Sequence, residues 1–221
     1  MQYADVMTRL RSLANADNVA GMARFGINPA NTLGVSIPTL RKLAREAGRD
    51  HALALRLWRS SVHEARILAG MVDDPARVTS AQMERWALDF DSWDVCDQVC
   101  SNLFDRTPFA WEKATAWARR DEEFVRRAGF ALMAALSVHD KSAPDAAFEP
   151  FFPLIEAGAT DERNYVKKAV NWALRQIGKR NATLRTRALA VAERVRRLDS
   201  RAARWVASDA LRELRGRRTG I

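Results

Sequence analysis

Small residues recur at a nearly constant interval along the chain, each within a stretch whose apolar residues are spaced three and four apart. Ala65, Cys96, Ala128, Ala169 and Ala202 are separated by 31, 32, 41 and 33 residues. Apolar residues at such spacings share one face of an α-helix. An interval of this length holds one helical hairpin that stacks on its neighbours. The pattern therefore predicts a helical repeat architecture in which the small residues, here called the anchors, lie where helices pack closely.

The segments between the anchors supply the second helix of each hairpin. Examples are "SAQMERWAL" (80–88) and "PFAWEKATAWAR" (108–119), whereas the alternation of a β-strand never persists. We expect an all-α protein, a right-handed solenoid of HEAT-like hairpins, forming one domain over residues 1–215 and ending in a flexible basic tail, 216–221. An irregular helical bundle with coincidental spacing is the alternative.

Short polar segments divide the helical stretches. "DDP" (73–75), "RTP" (106–108), "KSAPD" (141–145) and "EAGATDERN" (156–164) contain residues that end helices, together with acids, Ser or Thr that can cap the next one. We expect a helix to end at each segment and another to begin after it.

Composition limits the environment and the chemistry of the protein. No apolar stretch approaches the roughly 20 residues that span a bilayer, so we expect a cytoplasmic protein without membrane contact, associated with the nucleoid in a prokaryote, and monomeric. Two cysteines lie four residues apart, and the three histidines are scattered. Because no local cluster has the spacing of a metal site, we expect two small buried thiols and neither metal nor cofactor.

The charge balance favours a polyanionic partner. The chain carries 36 Lys and Arg against 27 Asp and Glu, a formal charge of +9, and the basic residues concentrate in its second half. A field of this sign attracts nucleic acids and raises their association rate.

Basic residues also recur at equivalent repeat positions. The residues immediately before the anchors are Glu64, Val95, Arg127, Lys168 and Arg201. Equivalent positions in stacked repeats share one face, and a basic column on a concave face could follow a phosphate backbone. The predicted DNA contacts are Arg126, Lys167, Lys168, Arg175, Lys179, Arg180 and Arg201. The alternative is an ordinary charged helix face in solvent.

An acid stands beside an aromatic residue in this basic context. Trp93 and Asp97 are four residues apart and therefore project to the same side of a helix. Ser92 or the residue before it is the better N-cap, and Asp94 already occupies the first turn, so Asp97 is not needed to begin the helix. Asp97 could act on a bound strand, or it could form a salt bridge with Arg127 or a similar cation.

Four segments of the chain are long enough to be specific: "GVSIPTLRKLAREAG", "FDSWDVCD", "FVRRAGFALMAALSVHDK" and "ERNYVKKAVNWALRQIGKRN". They resemble segments of the AlkD-type DNA alkylation-repair proteins, which are HEAT-like solenoids. In catalytic members of that family, a Trp and an Asp one turn apart, an Arg and a second Trp converge on the deoxyribose of a damaged nucleotide. The resemblance assigns these roles to Trp93, Asp97, Arg127 and Trp172.

The resemblance implies a DNA glycosylase that releases cationic N3- or N7-alkylated purines from double-stranded DNA. Such a base is already a good leaving group, so the enzyme must mainly stabilise an oxocarbenium ion, which a carboxylate and indole faces can do. A non-catalytic HEAT-like protein that binds distorted or branched DNA remains open, as does a protein–protein scaffold.

Overall fold

The computed structural model describes residues 1–216, and all regular structure in this part of the chain is helical. These residues form two compact units, Met1–Thr107 and a second unit that begins at Pro108. The all-α prediction is confirmed. The single domain over 1–215 stays a prediction, and the predicted tail lies outside the described residues except for Gly216.

The first unit contains seven α-helices and a closing 3₁₀ turn. They are α1 (Tyr3–Ser12), α2 (Ala16–Arg24), α3 (Ile37–Ala47), α4 (His51–Arg59), α5 (His63–Val72), α6 (Ser80–Leu88), α7 (Trp93–Asn102) and the turn Phe104–Arg106. Helix α5 is central, because α3, α4 and α7 all pack against it. The rings of Trp58 and Trp86 stack with centroids 4.0 Å apart and join α4 to α6.

The second unit contains six α-helices within its described part. They are α8 (Ala110–Trp117), α9 (Glu123–His139), α10 (Phe151–Gly158), α11 (Asn164–Lys179), α12 (Ala182–Arg196) and α13 (Arg201–Gly216), with a 3₁₀ turn at Asp145–Phe148. Helix α9 packs on α8 and α11, and α11 packs on α10, α12 and α13. Most of α9 is apolar and buried, as expected of a helix covered on nearly all sides.

The anchors lie on alternate helices and are buried. Ala65 and Cys96 belong to α5 and α7 in the first unit, and Ala128, Ala169 and Ala202 belong to α9, α11 and α13 in the second. Each is at most 1% exposed. The sequence interval therefore marks one helix of each hairpin, and the small side chains lie within the packed core as predicted.

Glycine permits the closest helix contacts. A Cβ atom at Gly129 of α9 would lie 2.4 Å from the backbone nitrogen of Ala118, at the end of α8. A Cβ at Gly70 of α5 would lie 3.1 Å from Val99 of α7. Backbone cannot move aside as a flexible side chain can, so α9 reaches α8 only because residue 129 has no side chain.

The predicted helix ends are observed, but the predicted caps are only partly so. Helix α5 ends directly before Asp73, and the side chain of Thr79 caps α6 by accepting a hydrogen bond from the Gln82 N–H at 3.1 Å. Helix α11 instead begins after Arg163 with no side-chain cap. The guanidinium of Arg163 is hydrogen-bonded to Asp161, so the segment 156–164 is ordered by an ion pair rather than by capping.

Candidate active site

The first turn of α7 is held by the loop that follows α2. Ser92 is the N-cap residue, as expected, but its hydroxyl accepts a hydrogen bond from the Asn28 N–H at 2.9 Å rather than capping α7. The Asn28 side chain in turn donates to Asp91 at 3.0 Å. These two contacts fix where α7 begins and hence which residues of its first two turns face outward.

Trp93 and Asp97 lie on the less buried face of α7. Both are partly exposed, whereas Val95, Cys96 and Val99 are fully buried. The Trp93 indole N–H donates to the Phe25 carbonyl oxygen at 3.1 Å, so the ring is oriented by backbone of the loop after α2. The structure therefore places the indole and the carboxylate one turn apart on the same side of the helix.

The other two predicted catalytic residues belong to the second unit. Arg127 of α9 is 5% exposed, and its Nη1 donates to the Tyr165 carbonyl oxygen at 2.6 Å. Trp172 is partly exposed on α11. Arg127 is thus a buried cation that contacts the first turn of α11. The sequence had instead suggested that Arg127 faces solvent as part of the basic column. Convergence of the four residues at one site stays a prediction.

The residues next to the anchors differ widely in exposure. Lys168 and Arg201 are exposed on α11 and α13. Glu64 and Val95, at the equivalent positions of the first unit, are buried. Equal spacing along the sequence therefore does not give equal access to solvent, and Lys168 and Arg201 are the members of the column best placed for a phosphate. The concave basic groove stays a prediction.

Two more predicted DNA contacts are partly occupied by neighbours. The Arg126 guanidinium lies 3.5 Å from the Asp161 carboxylate. The Lys167 ammonium lies 5.5 Å from the centre of the Trp205 ring, within the range of a cation–π interaction. Both cations are partly exposed, and each is positioned by a side chain of its own unit.

The remaining three predicted contacts hold helices of the second unit together. Arg175 and Lys179 each lie 2.5 Å from the Glu213 carboxylate of α13. Burial would raise the pKa of Glu213, but these two cations lower it below its usual value. Arg180 donates to the Ala143 carbonyl oxygen at 2.7 Å and lies over the Phe148 ring. These cations have structural partners, which the charge pattern alone did not reveal.

A buried histidine–carboxylate pair adjoins the Trp93 turn, and the sequence analysis missed it. His63 Nε2 lies 2.8 Å from Asp94 Oδ2, with side-chain exposures of 3% and 13%. The two residues occupy the same position relative to the anchors of α5 and α7, two places before Ala65 and Cys96. That shared offset is the signal that could have found the pair, since equivalent residues of adjacent repeats can lie side by side.

The environment of His63 predicts a specific pH dependence of stability. Burial alone would lower its pKa, but the hydrogen bond to Asp94 and the charges of Asp94, Glu64 and Asp91 raise it above the ordinary value of 6.5. The folded state thus favours the imidazolium. Its stabilisation is fully present below about pH 6.5 and is lost as the pH rises through the raised pKa of the folded protein.

We therefore expect the wild-type free energy of unfolding to fall, relative to that of His63→Gln, as the pH is raised above about 6.5. Urea unfolding at a series of pH values, followed by circular dichroism, measures this difference. A difference that stays constant with pH would contradict the assignment of an imidazolium to the folded protein.

Both thiols lie behind the Trp93–Asp97 face of α7. Cys96 and Cys100 are fully buried, and no disulfide joins them, so the prediction of small buried residues is confirmed. Burial and the neighbouring thiol raise the pKa of Cys100 well above its ordinary value.

Among residues 1–216, no group of three or more His, Cys, Asp or Glu side chains is arranged to hold a metal ion. No helix within this range is long and apolar enough to cross a membrane.

The sequence matches the model of the DNA alkylation repair enzyme family over residues 6–214. The chain belongs to this family. Among solved structures, it is similar to a member of a family related to the HEAT-like repeat DNA glycosylases with affinity for branched DNA structures, with a TM-score of 0.80 and 18% identity over 100% of this chain and 99% of that one. At this identity the likeness establishes the fold, and the predicted all-α HEAT-like repeat is confirmed.

This DNA alkylation repair family member is also similar to the uncharacterized protein Lmo0209 of Listeria monocytogenes. The two are 23% identical over 143 residues, which are 63% of this chain and 62% of the relative. The chain thus matches less than two thirds of that protein's length.

Proposed function

We propose that the protein is a DNA glycosylase that hydrolyses the N-glycosidic bond of cationic N3- or N7-alkylated purines in duplex DNA. The observation that carries this proposal is the Trp93–Asp97 pair, held one turn apart on the outward side of α7 with the indole fixed by the Phe25 carbonyl. Membership of the DNA alkylation repair enzyme family supports the choice of substrate class.

The chemistry requires little beyond electrostatic stabilisation. The alkylated base takes the bonding electron pair and leaves uncharged, while positive charge develops on the sugar. An ionised Asp97 stabilises that charge and accepts a proton from the water that adds to C1′. The Trp93 and Trp172 rings would contribute cation–π stabilisation and exclude water, about 1–2 kcal/mol in a desolvated site. By the family resemblance, Arg127 would hold the phosphate that flanks the lesion.

The deciding experiment is release of free base by the unmodified protein. Duplex DNA methylated to contain 7-methylguanine and 3-methyladenine is incubated with an excess of protein, and the freed bases are counted against a protein-free control. Release above the spontaneous rate supports the glycosylase. A rate equal to the control overturns it.

Non-catalytic DNA binding is the second candidate, and two observations favour it. Arg127 is buried against the Tyr165 carbonyl rather than open to a phosphate, and the similar solved structure belongs to a family with affinity for branched DNA structures. This candidate is supported if four-way junction DNA binds more tightly than linear duplex and no base is released.

Either function depends on exposed cations, which predicts a salt effect. Lys168→Ala should reduce the slope of log affinity against log salt by about one, to a similar extent for all duplex sequences, because one phosphate contact and its counterion release are lost. Arg187→Ala is the matched control. Arg187 lies on α12, the helix that follows the one carrying Lys168, and pairs with Glu149. Equal slopes for wild type and Lys168→Ala would remove Lys168 from the interface.

A further inference from the structure

One tryptophan of the second unit faces solvent. Trp205 lies in the second turn of α13 and is 41% exposed, whereas the other six tryptophans of the chain are buried or only partly exposed. Tryptophan has a large apolar ring and is enriched where proteins contact a partner. The fold covers little of this ring, so packing of the second unit does not explain why residue 205 is a tryptophan.

Trp205 belongs to a regular set of contacts between α11 and α13. Three residues of α11, spaced four apart and therefore on one side of the helix, each contact the α13 residue that lies 38 places further along the chain. The pairs are Lys167 with Trp205, Asn171 with Asp209, and Arg175 with Glu213. The second and third pairs end on carboxylates at 2.7 and 2.5 Å. The first pair instead joins an ammonium to an aromatic ring, so this cation is not neutralised there by an acid.

More cations lie beside this first pair. Arg201 lies one turn before Trp205 and therefore on the same side of α13, and Lys168 adjoins Lys167 on α11. Lys168 and Arg201 are exposed, and neither forms an ion pair within residues 1–216. Arg204, next to Trp205, is also exposed. These five residues are called the α11–α13 surface below.

Two acids near the α11–α13 surface have partners of their own. The Glu162 carboxylate accepts hydrogen bonds from the Ser200 hydroxyl at 3.2 Å and the Ala202 N–H at 3.1 Å, at the start of α13. Asp199 lies 3.4 Å from Arg204. The four cations of the surface outnumber these two carboxylates, so the surroundings of the exposed ring are positively charged.

We propose that the α11–α13 surface binds single-stranded DNA, with an unpaired base stacked on Trp205 and phosphates on Lys168 and Arg201. An exposed ring among cations suits a single strand, because every base has a face that can stack on it and the cations neutralise the backbone. Bases of a duplex stack on one another and are not free to cover the ring. Lys167, within cation–π range of the ring, would hold its orientation.

The repeat also suits a partner that is a long strand. Trp172 and Trp205 both stand three residues after an anchor, Ala169 or Ala202. Equivalent positions of stacked hairpins share one face, so a strand that runs along the hairpins would meet both rings. The choice of DNA rests on membership of the DNA alkylation repair family. The proposal goes beyond the proposed function, because it requires neither a damaged base nor catalysis.

The first test asks whether bases contribute to binding. The full chain is titrated into a labelled oligothymidylate of about 16 nucleotides, and into a strand of the same length whose sugars lack bases, and fluorescence anisotropy is measured. We expect the oligothymidylate to bind at least about tenfold more tightly, because only it can stack. Equal affinity for the two strands, or binding of neither, overturns the proposal.

The second test assigns the stacking to Trp205. Trp205→Ala should weaken oligothymidylate binding about tenfold or more, and Trp205→Phe, which keeps a ring, should lose less. Leu88→Ala is the matched control, since Leu88 is a large apolar residue that is exposed on α6 of the first unit, and it should bind as the wild type does. Oligothymidylate binding by Trp205→Ala as tight as that of the wild type would refute the role of the ring.

Duplex DNA of the same length shows whether the effect is specific to a single strand. Trp205→Ala should change duplex affinity less than about twofold, because paired bases do not stack on the ring. If duplex and single-strand affinity fall together, or the melting temperature falls with them, Trp205 is a structural residue and the proposal is wrong.

Two other partners are outcomes of the same experiment. If an acidic peptide containing phenylalanine binds in a manner that depends on Trp205 and the oligothymidylate does not, the surface docks a protein and the proposal is wrong. If oligouridylate binds more than about tenfold more tightly than oligothymidylate, the partner is RNA and the choice of DNA is wrong. The result is separable from that of the glycosylase. Absence of base release from methylated duplex would leave single-strand binding in place, and unchanged binding by Trp205→Ala would leave the proposed reaction in place.

Discussion

Replacement of Asp97 by Asn is expected to slow single-turnover release of 7-methylguanine or 3-methyladenine from duplex DNA by roughly 10²- to 10³-fold. The physical reason is that the carboxylate stabilises charge that exists only in the transition state, and loss of one preorganised electrostatic group has an effect of this size. The amide has nearly the same shape, so α7 and the orientation of Trp93 should be kept. Quantification of freed base under enzyme excess measures the effect.

Two controls separate this effect from general damage. Asp91→Asn removes the same charge just before α7, where the Asp91 carboxylate accepts a hydrogen bond from the Asn28 side chain, and it should leave the rate within a few fold of wild type. DNA affinity of Asp97→Asn should be unchanged or higher, because a negative charge near phosphate is removed. If Asp97→Asn releases base at the wild-type rate, or if its loss of activity is matched by a lower melting temperature, Asp97 is a structural residue.

Replacement of Glu64 by Ala is expected to lower the free energy of unfolding by about 3 kcal/mol. Glu64 is 1% exposed, and its carboxylate accepts hydrogen bonds from the backbone N–H groups of Leu33, Gly34 and Val35 at 2.8, 2.6 and 3.2 Å. Without it, donors in a buried segment lose their acceptor. Urea unfolding followed by circular dichroism measures the loss.

Glu64→Gln serves as the graded comparison, because it keeps one side-chain oxygen as an acceptor but lacks the charge. It should lose less stability than Glu64→Ala. A loss below about 1 kcal/mol for Glu64→Ala would mean that water satisfies these N–H groups in its place.

The helical repeat could be predicted from the sequence because apolar and small residues are buried where helices pack against each other. Ala65 and Ala128 are buried at contacts between helices, and the spacing between anchors is a direct record of the hairpin length. Trp93 and Asp97 could likewise be placed on one side of α7, since only the 3.6-residue period was needed.

The charge pattern predicted the positions of side chains less well than the apolar pattern did, because a cation on a helix can face solvent or a neighbouring helix. Arg180 donates to carbonyl oxygens of the preceding hairpin, including that of Ser137, and its contact with DNA stays a prediction. Arg127 contacts the start of α11 in the same manner. Local sequence contains no information on which carbonyl groups a later helix leaves within reach.

Pairs of residues at equal repeat offset carry information that was not used. Trp58 donates to Asp89 across 31 residues, the same separation as between His63 and Asp94. In the second unit, Asn171 and Arg175 contact Asp209 and Glu213, each 38 residues further on, which is five residues more than the 33-residue interval between Ala169 and Ala202. A search for complementary side chains 31 residues apart would therefore have found the first-unit contacts from the sequence but not those of the second unit.

The two buried cysteines allow local opening of α7 to be measured by thiol labelling. Cys96 and Cys100 are the only thiols in the chain and both lie on the buried face of α7, the helix that presents Trp93 and Asp97. A thiol reagent can reach them only when that helix separates from its neighbours. The labelling rate therefore reports how often the candidate catalytic helix opens, and in native buffer it follows the local free energy of opening rather than that of global unfolding. Slower labelling in the presence of DNA would show that binding closes this motion, with no probe attached to the protein.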